Sequence, residues 1–85
     1  MYYTYILESI GNEHTIYIGS TEDLPARLNQ HNSKKVTSTK TLAPWRVIYY
    51  EAHLSKTLAR RAELFYKTGQ GRRQLRKKLG FDEEI

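Results

Sequence analysis

The stretch IYIGSTEDLPARLNQHN, residues 16–32, predicts a strand, a turn and a helix in direct succession. The strand ends at Gly19, and Asp23 is placed to cap the helix because its carboxylate can accept from free backbone N–H groups. Pro25 falls in the first helical turn, where its missing N–H does little harm. Strand ends and helix N-termini often bind phosphates, so this junction is the first candidate for a functional site.

The sequence before this stretch predicts a β-hairpin. Residues 2–8 are rich in β-forming side chains, and alternation places Tyr5 and Leu7 on one face with Ile6 on the other. The turn pair Gly11-Asn12 then leads into the strand at residues 15–19. Two strands joined by such a short loop are typical of an antiparallel pair.

The sequence after the stretch adds one strand and two helices. The strand is predicted at residues 45–52 and is apolar enough to be covered on both faces. The helices are predicted at residues 55–67 and 72–79, with a hinge at Gln70-Gly71 and a short acidic tail at 81–85. The order β-β-α-β-α-α predicts an α+β fold, in which helices flank a small three-stranded antiparallel sheet.

Length and composition limit the class of protein. The chain has 85 residues, which predicts a single domain, residues 1–85, with a small core. It contains no cysteine, which excludes disulfides and thiolate zinc sites. No apolar run is long enough to span a membrane and no signal-peptide pattern is present, so the sequence predicts a soluble, cytoplasmic protein.

Positive charge is in excess and is clustered. Lys and Arg number 14 against 9 Asp and Glu, giving a formal net charge of +5. Clustered cations are the expected footprint of a protein that binds a polyanion, and a solvated surface is the alternative explanation of the same excess. The candidate nucleic-acid-binding residues lie mid-chain and in the C-terminal quarter: Lys34, Lys35, Lys40, Arg46, Lys67, Arg72, Arg73 and Arg76.

Residues 33–44 form a polar, threonine-rich connection that is long enough to indicate a function. Its lysines and hydroxyls suit contacts with phosphate oxygens. An ordinary surface loop is the alternative, and the sequence does not separate the two.

Three side chains at the strand–helix junction could carry chemistry. Tyr17 is followed by a glycine and a polar turn, so its hydroxyl is predicted to face a cleft. Arg27 and His31 are four residues apart on the predicted helix and therefore project from the same flank. That flank is expected to lie close to the sheet.

Glu63 is the unusual residue of the second helix. Leu58, Ala62 and Phe65 trace the predicted buried arc, and Ala59 and Tyr66 widen it. Glu63 falls about 40° beyond the edge of this arc. It is either an exposed partner of Lys67, four residues on, or a ligand for one Mg²⁺ ion. A single carboxylate can suffice for Mg²⁺ because the ion keeps several waters and also binds substrate phosphate.

These residues occur in an order and spacing that resembles the GIY-YIG nuclease family. The matching motifs are Tyr3-Thr4-Tyr5, Tyr17-Ile18-Gly19, Arg27-x-x-x-His31, Glu63 and Gly69-x-Gly71-Arg72. They span roughly residues 2–79 and are similar to the small single-domain branch of that family, called the UPF0213 or excision-repair-subunit-like group.

The resemblance implies a metal-dependent endonuclease that hydrolyses DNA phosphodiester bonds. It assigns general-base catalysis to Tyr17, alignment of the phosphate or nucleophile to Tyr5, and stabilisation of phosphoryl charge to Arg27. His31 would bond Tyr5 or a phosphate oxygen, and Glu63 would hold one Mg²⁺ or Mn²⁺ ion. The implied partner is branched, single-stranded or damaged DNA, with RNA and a specificity-supplying protein as further candidates.

Two other functions remain open at this point. A non-catalytic nucleic-acid-binding module with the same fold would explain the basic C-terminal helix, although binding alone does not require the five candidate catalytic residues. A protein-interaction adaptor would need Trp45 and the tyrosines to be exposed.

Overall fold

The computed structural model describes residues 1–81, and its elements follow the predicted order β-β-α-β-α-α. Their bounds are β1 Tyr2–Ser9, β2 Ile16–Thr21, α1 Leu24–Asn32, a 3-10 turn Lys40–Leu42, β3 Trp45–His53, α2 Lys56–Tyr66 and α3 Gly69–Leu79. The acidic residues of the predicted tail lie outside the described residues. Within residues 1–81, every helix is too short or too polar to cross a lipid bilayer.

The three strands form one antiparallel sheet in the order β2-β1-β3, which confirms the predicted α+β architecture. β1 is the central strand and is buried from Thr4 to Ser9. β2 and β3 are the edge strands. The prediction that β3 is covered on both faces is wrong, because Tyr50 and Ala52 stay exposed on this edge.

Alternation along β1 separates two apolar clusters, as predicted. Tyr5 faces α1 and packs in a cluster with Trp45. Ile6 faces the other way and packs against Tyr66 of α2 and Leu75 of α3. Trp45 is only 3% exposed, so it cannot serve as the exposed contact of an adaptor protein.

α2 buries part of the predicted arc and also buries Glu63. Its buried residues are Ala59, Glu63 and Tyr66, whereas Leu58 and Phe65 are exposed. Ala59 and Tyr66 are buried as predicted, whereas the helix turns Leu58 and Phe65 toward solvent and Glu63 toward the sheet. Glu63 is therefore inside the buried arc and not at its margin.

Hydroxyl groups on the sheet explain this orientation of α2. The Thr4 hydroxyl donates to the carbonyl oxygen of Ala59 at 2.7 Å. The Ser20 hydroxyl donates to the Glu63 carboxylate, also at 2.7 Å. Because the sheet satisfies polar groups of the helix, α2 can bury a carboxylate that hydrophobic patterning would place outside.

α3 begins earlier than predicted, and the predicted hinge is wrong. Gln70 and Gly71 lie in the first turn of the helix, and Thr68 caps it by accepting from the Gly71 N–H at 3.0 Å. A Cβ on residue 71 would lie 1.8 Å from the Phe65 carbonyl oxygen. The glycine therefore serves the close approach of α3 to the end of α2.

Candidate active site

Four of the predicted catalytic side chains meet on the sheet face that α1 covers. The Tyr5 hydroxyl lies 2.9 Å from Nε2 of His31. Nε of Arg27 donates to the same hydroxyl at 3.4 Å. The Tyr17 ring lies 4.9 Å from the His31 ring and 6.3 Å from the Tyr5 ring, measured between centroids. α1 contributes the arginine and histidine from one flank, as their spacing predicts.

Gly19 allows the Tyr5 ring to lie across β2. The two residues are direct partners in the register of β1 and β2. A Cβ on residue 19 would lie 2.6 Å from both Cζ and Oη of Tyr5 and 3.0 Å from Cε2 of Tyr17. Any larger residue would displace the phenol, so the glycine places the Tyr5 hydroxyl over the edge strand.

Burial sets the charge states of this cluster. It raises the pKa of Tyr5 to about 12, even though the hydrogen bond from Arg27 acts in the opposite direction. Burial also holds the pKa of His31 below its usual value, and the nearby Arg27 cation adds to this shift. The hydrogen bond to Tyr5 raises the pKa of Arg27. Near neutral pH the cluster is therefore a neutral phenol, a neutral imidazole and a guanidinium.

The cluster has a buried part and an accessible part. Tyr5 and His31 are buried, at 1% and 0% exposure, whereas Tyr17 and Arg27 are half-buried. Nη1 of Arg27 donates to the Gln30 side chain at 2.7 Å. The Tyr17 hydroxyl also lies close enough to this guanidinium to contribute to its raised pKa. The accessible side of Arg27, next to Tyr17, can therefore meet an external anion.

Glu63 lies on the other face of the sheet, on α2. It is 4% exposed, so it is not the exposed side chain of the simpler prediction. Oε1 accepts from Ser20 at 2.7 Å, and Oε2 accepts from Lys67 at 2.6 Å and Arg60 at 2.8 Å. Although burial acts to raise the pKa of Glu63, the hydrogen bonds from Lys67, Ser20 and Arg60 hold it below its ordinary value. The carboxylate is therefore ionised.

Consecutive residues of β2 connect the two faces. Gly19 pairs with Tyr5 and Ser20 pairs with Thr4, so their side-chain positions point to opposite sides of the sheet. The Glu63 charge is near enough to Tyr5 to contribute to the raised pKa of the phenol. β2 is an edge strand, so a ligand at this edge could reach Arg27 on one side and Glu63 on the other.

Glu63 offers a carboxylate that could bind a hard divalent cation, in competition with the two cations that it now contacts. An ionised carboxylate is the kind of oxygen ligand that Mg²⁺ and Mn²⁺ prefer, and a neighbouring hydroxyl is present. Among residues 1–81 no group of three or more acidic or histidine side chains converges on one point, so waters and substrate oxygens would complete the shell. Lys67 and Arg60, the two cations that contact this carboxylate, are both half-exposed.

The structure does not bring the eight candidate nucleic-acid-binding residues together. All are exposed, but Lys34, Lys35 and Lys40 lie on the α1 side of the sheet, and the three arginines of α3 lie on the other. Arg46 is engaged by the buried Glu8 at 2.6 Å. Lys67 alone of the eight has an ion pair with a candidate catalytic residue within residues 1–81.

The sequence analysis did not identify two cations of α2 and one buried threonine that lie at or near the candidate site. Lys56 and Arg60 lie on the same face of α2 as Glu63 and Lys67. Their i, i+4 and i, i+3 spacing could have indicated this shared face. Thr39 is 1% exposed and lies 2.8 Å from Nδ1 of His31. No local signal marks this threonine among the others of residues 33–44.

Comparison with known proteins agrees with the motifs. The family model described as the GIY-YIG catalytic domain matches residues 1–77. A UPF0213 protein of Streptococcus agalactiae serotype V is 41% identical over 66 residues, which are 76% of this chain and 73% of that protein. A UPF0213 protein of Streptococcus pyogenes serotype M3 is 38% identical over 73 residues, which are 85% of this chain and 77% of that protein. No solved structure gives a significant match. The resemblance found in the sequence is thus confirmed, and the chain belongs to the GIY-YIG family, alongside relatives that carry the name UPF0213.

Proposed function

We propose that this protein is a metal-dependent endonuclease that hydrolyses phosphodiester bonds of DNA, with Tyr17, Arg27 and Glu63 as its reactive groups. The GIY-YIG domain implies a nuclease-type function on nucleic acid. The observation that carries the finer proposal is the placement of Arg27. Two of its nitrogens donate to Tyr5 and Gln30, and its accessible side lies next to the Tyr17 hydroxyl.

Arg27 is the proposed stabiliser of the transition state. A guanidinium that is already oriented can meet the charge developing on phosphoryl oxygens without reorganising, and such preorganised donors are often worth several kcal/mol. The buried pair Tyr5 and His31 supports this orientation, because Tyr5 accepts from Arg27 and contacts His31. With a pKa raised to about 12, Tyr5 stays a neutral hydrogen-bonding group throughout the neutral pH range.

Tyr17 is the proposed general base. It is half-buried at the accessible side of the cluster, unlike Tyr5. Its hydroxyl is close enough to Arg27 to contribute to the raised pKa of the guanidinium. The same proximity would stabilise a phenolate formed transiently when Tyr17 takes a proton from the attacking water.

Glu63 is the proposed metal-binding residue. GIY-YIG nucleases generally depend on a divalent metal ion. Bound at Glu63, Mg²⁺ or Mn²⁺ would supply Lewis-acid stabilisation of charge on the leaving oxygen. Lys67 and Arg60, released from the carboxylate, would then be available to substrate phosphates.

We infer that the substrate is recognised through its backbone and shape. Lys56, Arg60 and Lys67 offer cations, and Ser20 offers a hydroxyl, all beside the edge of β2. Such groups contact phosphates and carry no base-sequence information. Branched, single-stranded or damaged DNA are the preferred candidates, RNA is a comparison substrate, and a protein partner is the proposed source of further specificity.

A nicking assay tests the proposal. The full chain is incubated with supercoiled plasmid, single-stranded DNA, branched DNA and RNA, in Mg²⁺, in Mn²⁺ and in EDTA. We expect metal-dependent cleavage that falls at least about 100-fold in Tyr17→Phe, Arg27→Gln and Glu63→Gln. Equal cutting by wild type and these variants would overturn it.

Two matched variants serve as controls. Tyr50→Phe removes a tyrosine hydroxyl from the opposite edge of the same sheet face, where it makes no hydrogen bond within residues 1–81. Glu13→Gln removes an exposed carboxylate in the β1–β2 turn. Both should cut at the wild-type rate.

The binding-only alternative is supported by the pairing of Glu63 with two cations. It predicts affinity for DNA that falls steeply with salt, and no product under any metal condition. A salt titration of binding, run beside the nicking assay, separates the two functions.

A further inference from the structure

Thr39 is a loop residue that points inward. It lies in the connection between α1 and β3, where the sequence indicated either phosphate contacts or an ordinary surface loop. Thr39 is instead 1% exposed, and its hydroxyl oxygen lies 2.8 Å from Nδ1 of His31. The histidine is 0% exposed and lies 2.9 Å from the Tyr5 hydroxyl through its other ring nitrogen.

The backbone of Thr39 is fixed from both sides. Its N–H donates to the Val36 carbonyl oxygen at 3.1 Å. Its carbonyl oxygen accepts from the indole N–H of Trp45 at 2.9 Å and from the Leu42 N–H at 3.3 Å. The loop therefore holds the backbone of Thr39 in place without any contact from His31.

The direction of the hydrogen bonds follows from counting protons. A guanidinium only donates, so Tyr5 must accept from Arg27 at one end of the chain of contacts. A carbonyl only accepts, so the Thr39 hydroxyl can donate to Val36, at 3.4 Å, at the other end. Every hydrogen of the Tyr5, His31 and Thr39 side chains in this chain of contacts has an acceptor when Tyr5 donates to Nε2 of His31 and Nδ1–H of His31 donates to Thr39.

The other tautomer leaves a buried group without a partner. With the proton on Nε2, His31 would donate to Tyr5, and the Tyr5 hydrogen would have no acceptor within the described residues. A buried hydroxyl hydrogen without an acceptor is costly. Double protonation is opposed as well, because burial and Arg27 lower the pKa of His31.

We propose that Thr39 is a positioning residue that holds His31 in its Nδ1–H tautomer, so that Tyr5 donates inward and presents a lone pair to Arg27. The effect on catalysis rests on the proposed nuclease function, whereas the tautomer is a property of the free protein. The polar loop between α1 and β3 thus takes part in the site through one inward hydroxyl.

Nitrogen NMR of the full chain tests the tautomer directly. The protonated and unprotonated nitrogens of a neutral imidazole have well-separated ¹⁵N shifts, and the His31 signals are assigned by their loss in His31→Gln. We expect wild type and Thr39→Ser to show Nδ1–H, and Thr39→Val to show a shift toward Nε2–H or toward exchange between the two. The control is Thr41→Val, an exposed threonine of the same loop, which should leave the His31 signals unchanged.

The proposal is overturned if wild-type His31 is protonated on Nε2, or if Thr39→Val leaves its signals unchanged. The wild-type spectrum decides even if Thr39→Val does not fold. In the nicking assay we expect Thr39→Val to lower kcat about tenfold with little change in KM, and Thr39→Ser to restore it. If the spectra agree but no substrate is cut, the nuclease function fails and the tautomer assignment stands. If DNA is cut by a protein whose His31 carries Nε2–H, the tautomer assignment fails and the nuclease function stands.

Discussion

Replacing Gly19 by alanine tests the close approach on which the candidate site depends. The new methyl carbon would lie 2.6 Å from Cζ and Oη of Tyr5, far inside the 3.4 Å at which ordinary van der Waals contact begins. The Tyr5 ring would have to move by most of an ångström. Its hydroxyl is bonded to His31 at 2.9 Å, so the movement would also stretch that bond.

The cost can be worked from these contacts. Overpacking a buried site typically costs about 1–3 kcal/mol. The net contribution of one buried hydrogen bond adds about 1 kcal/mol. We therefore expect Gly19→Ala to lower the free energy of unfolding by about 2–4 kcal/mol, a large share of the roughly 5–15 kcal/mol that stabilises a typical domain. Cleavage should also fall in the folded fraction, because Arg27 loses its support.

Urea unfolding followed by tryptophan fluorescence measures the stability change. Trp45 is the single tryptophan and is buried, so its emission reports on the fold. The control is Gly69→Ala, where the nearest atom to a new Cβ is the end of the Arg73 side chain at 3.9 Å. Since Gly69 opens α3, alanine there should be neutral or stabilising by up to about 1 kcal/mol. A Gly19→Ala protein within about 0.5 kcal/mol of wild type would refute the steric argument.

Acidification should destabilise the protein first through His31. The pKa of His31 is held below its unfolded value of 6.5, so its contribution to the free energy of unfolding is complete above pH 6.5 and is lost as the pH falls through the folded value. His31→Gln should remove that part of a stability–pH profile. Glu63 acts in the same sense below its unfolded value of 4.5, and Glu63→Gln should flatten the profile there. Lys67→Met should tighten Mn²⁺ binding about fivefold in calorimetric titration, by removing a cation that competes for the Glu63 carboxylate. Unchanged affinity, or an equal gain in the exposed control Arg61→Met, would contradict that competition.

The sequence predicted most of the fold because its signals are local. The β1 alternation, the Gly11 turn and the first helix each depend on neighbouring residues. Asp23 caps α1 as predicted, since its side chain accepts from the Ala26 N–H at 3.0 Å. Arg27 and His31 project from one flank of α1 for the same reason, because helical spacing alone sets which side chains share a face.

The features that the sequence did not predict share a physical cause. Each depends on a partner that is distant in the sequence. Glu63 is buried because Ser20, far away in sequence, donates to it. Thr39 differs from the other threonines of its loop because it contacts His31, whereas they stay exposed. Charge clustering in the sequence likewise did not show that the basic residues would divide between the two sides of a sheet.

The register of the β1–β2 hairpin joins these distant parts into one candidate site. Side chains alternate along a strand, so a slip of one residue would exchange every facing position. Ser20 would then point at the Tyr5 ring, and Glu63 would lose its hydroxyl donor. The register is set at the turn, where the Ser9 N–H donates to the Thr15 carbonyl oxygen at 2.9 Å and Gly11 adopts a φ of 89°. A turn far from Arg27 and Glu63 therefore determines which side chains of β2 face each of them.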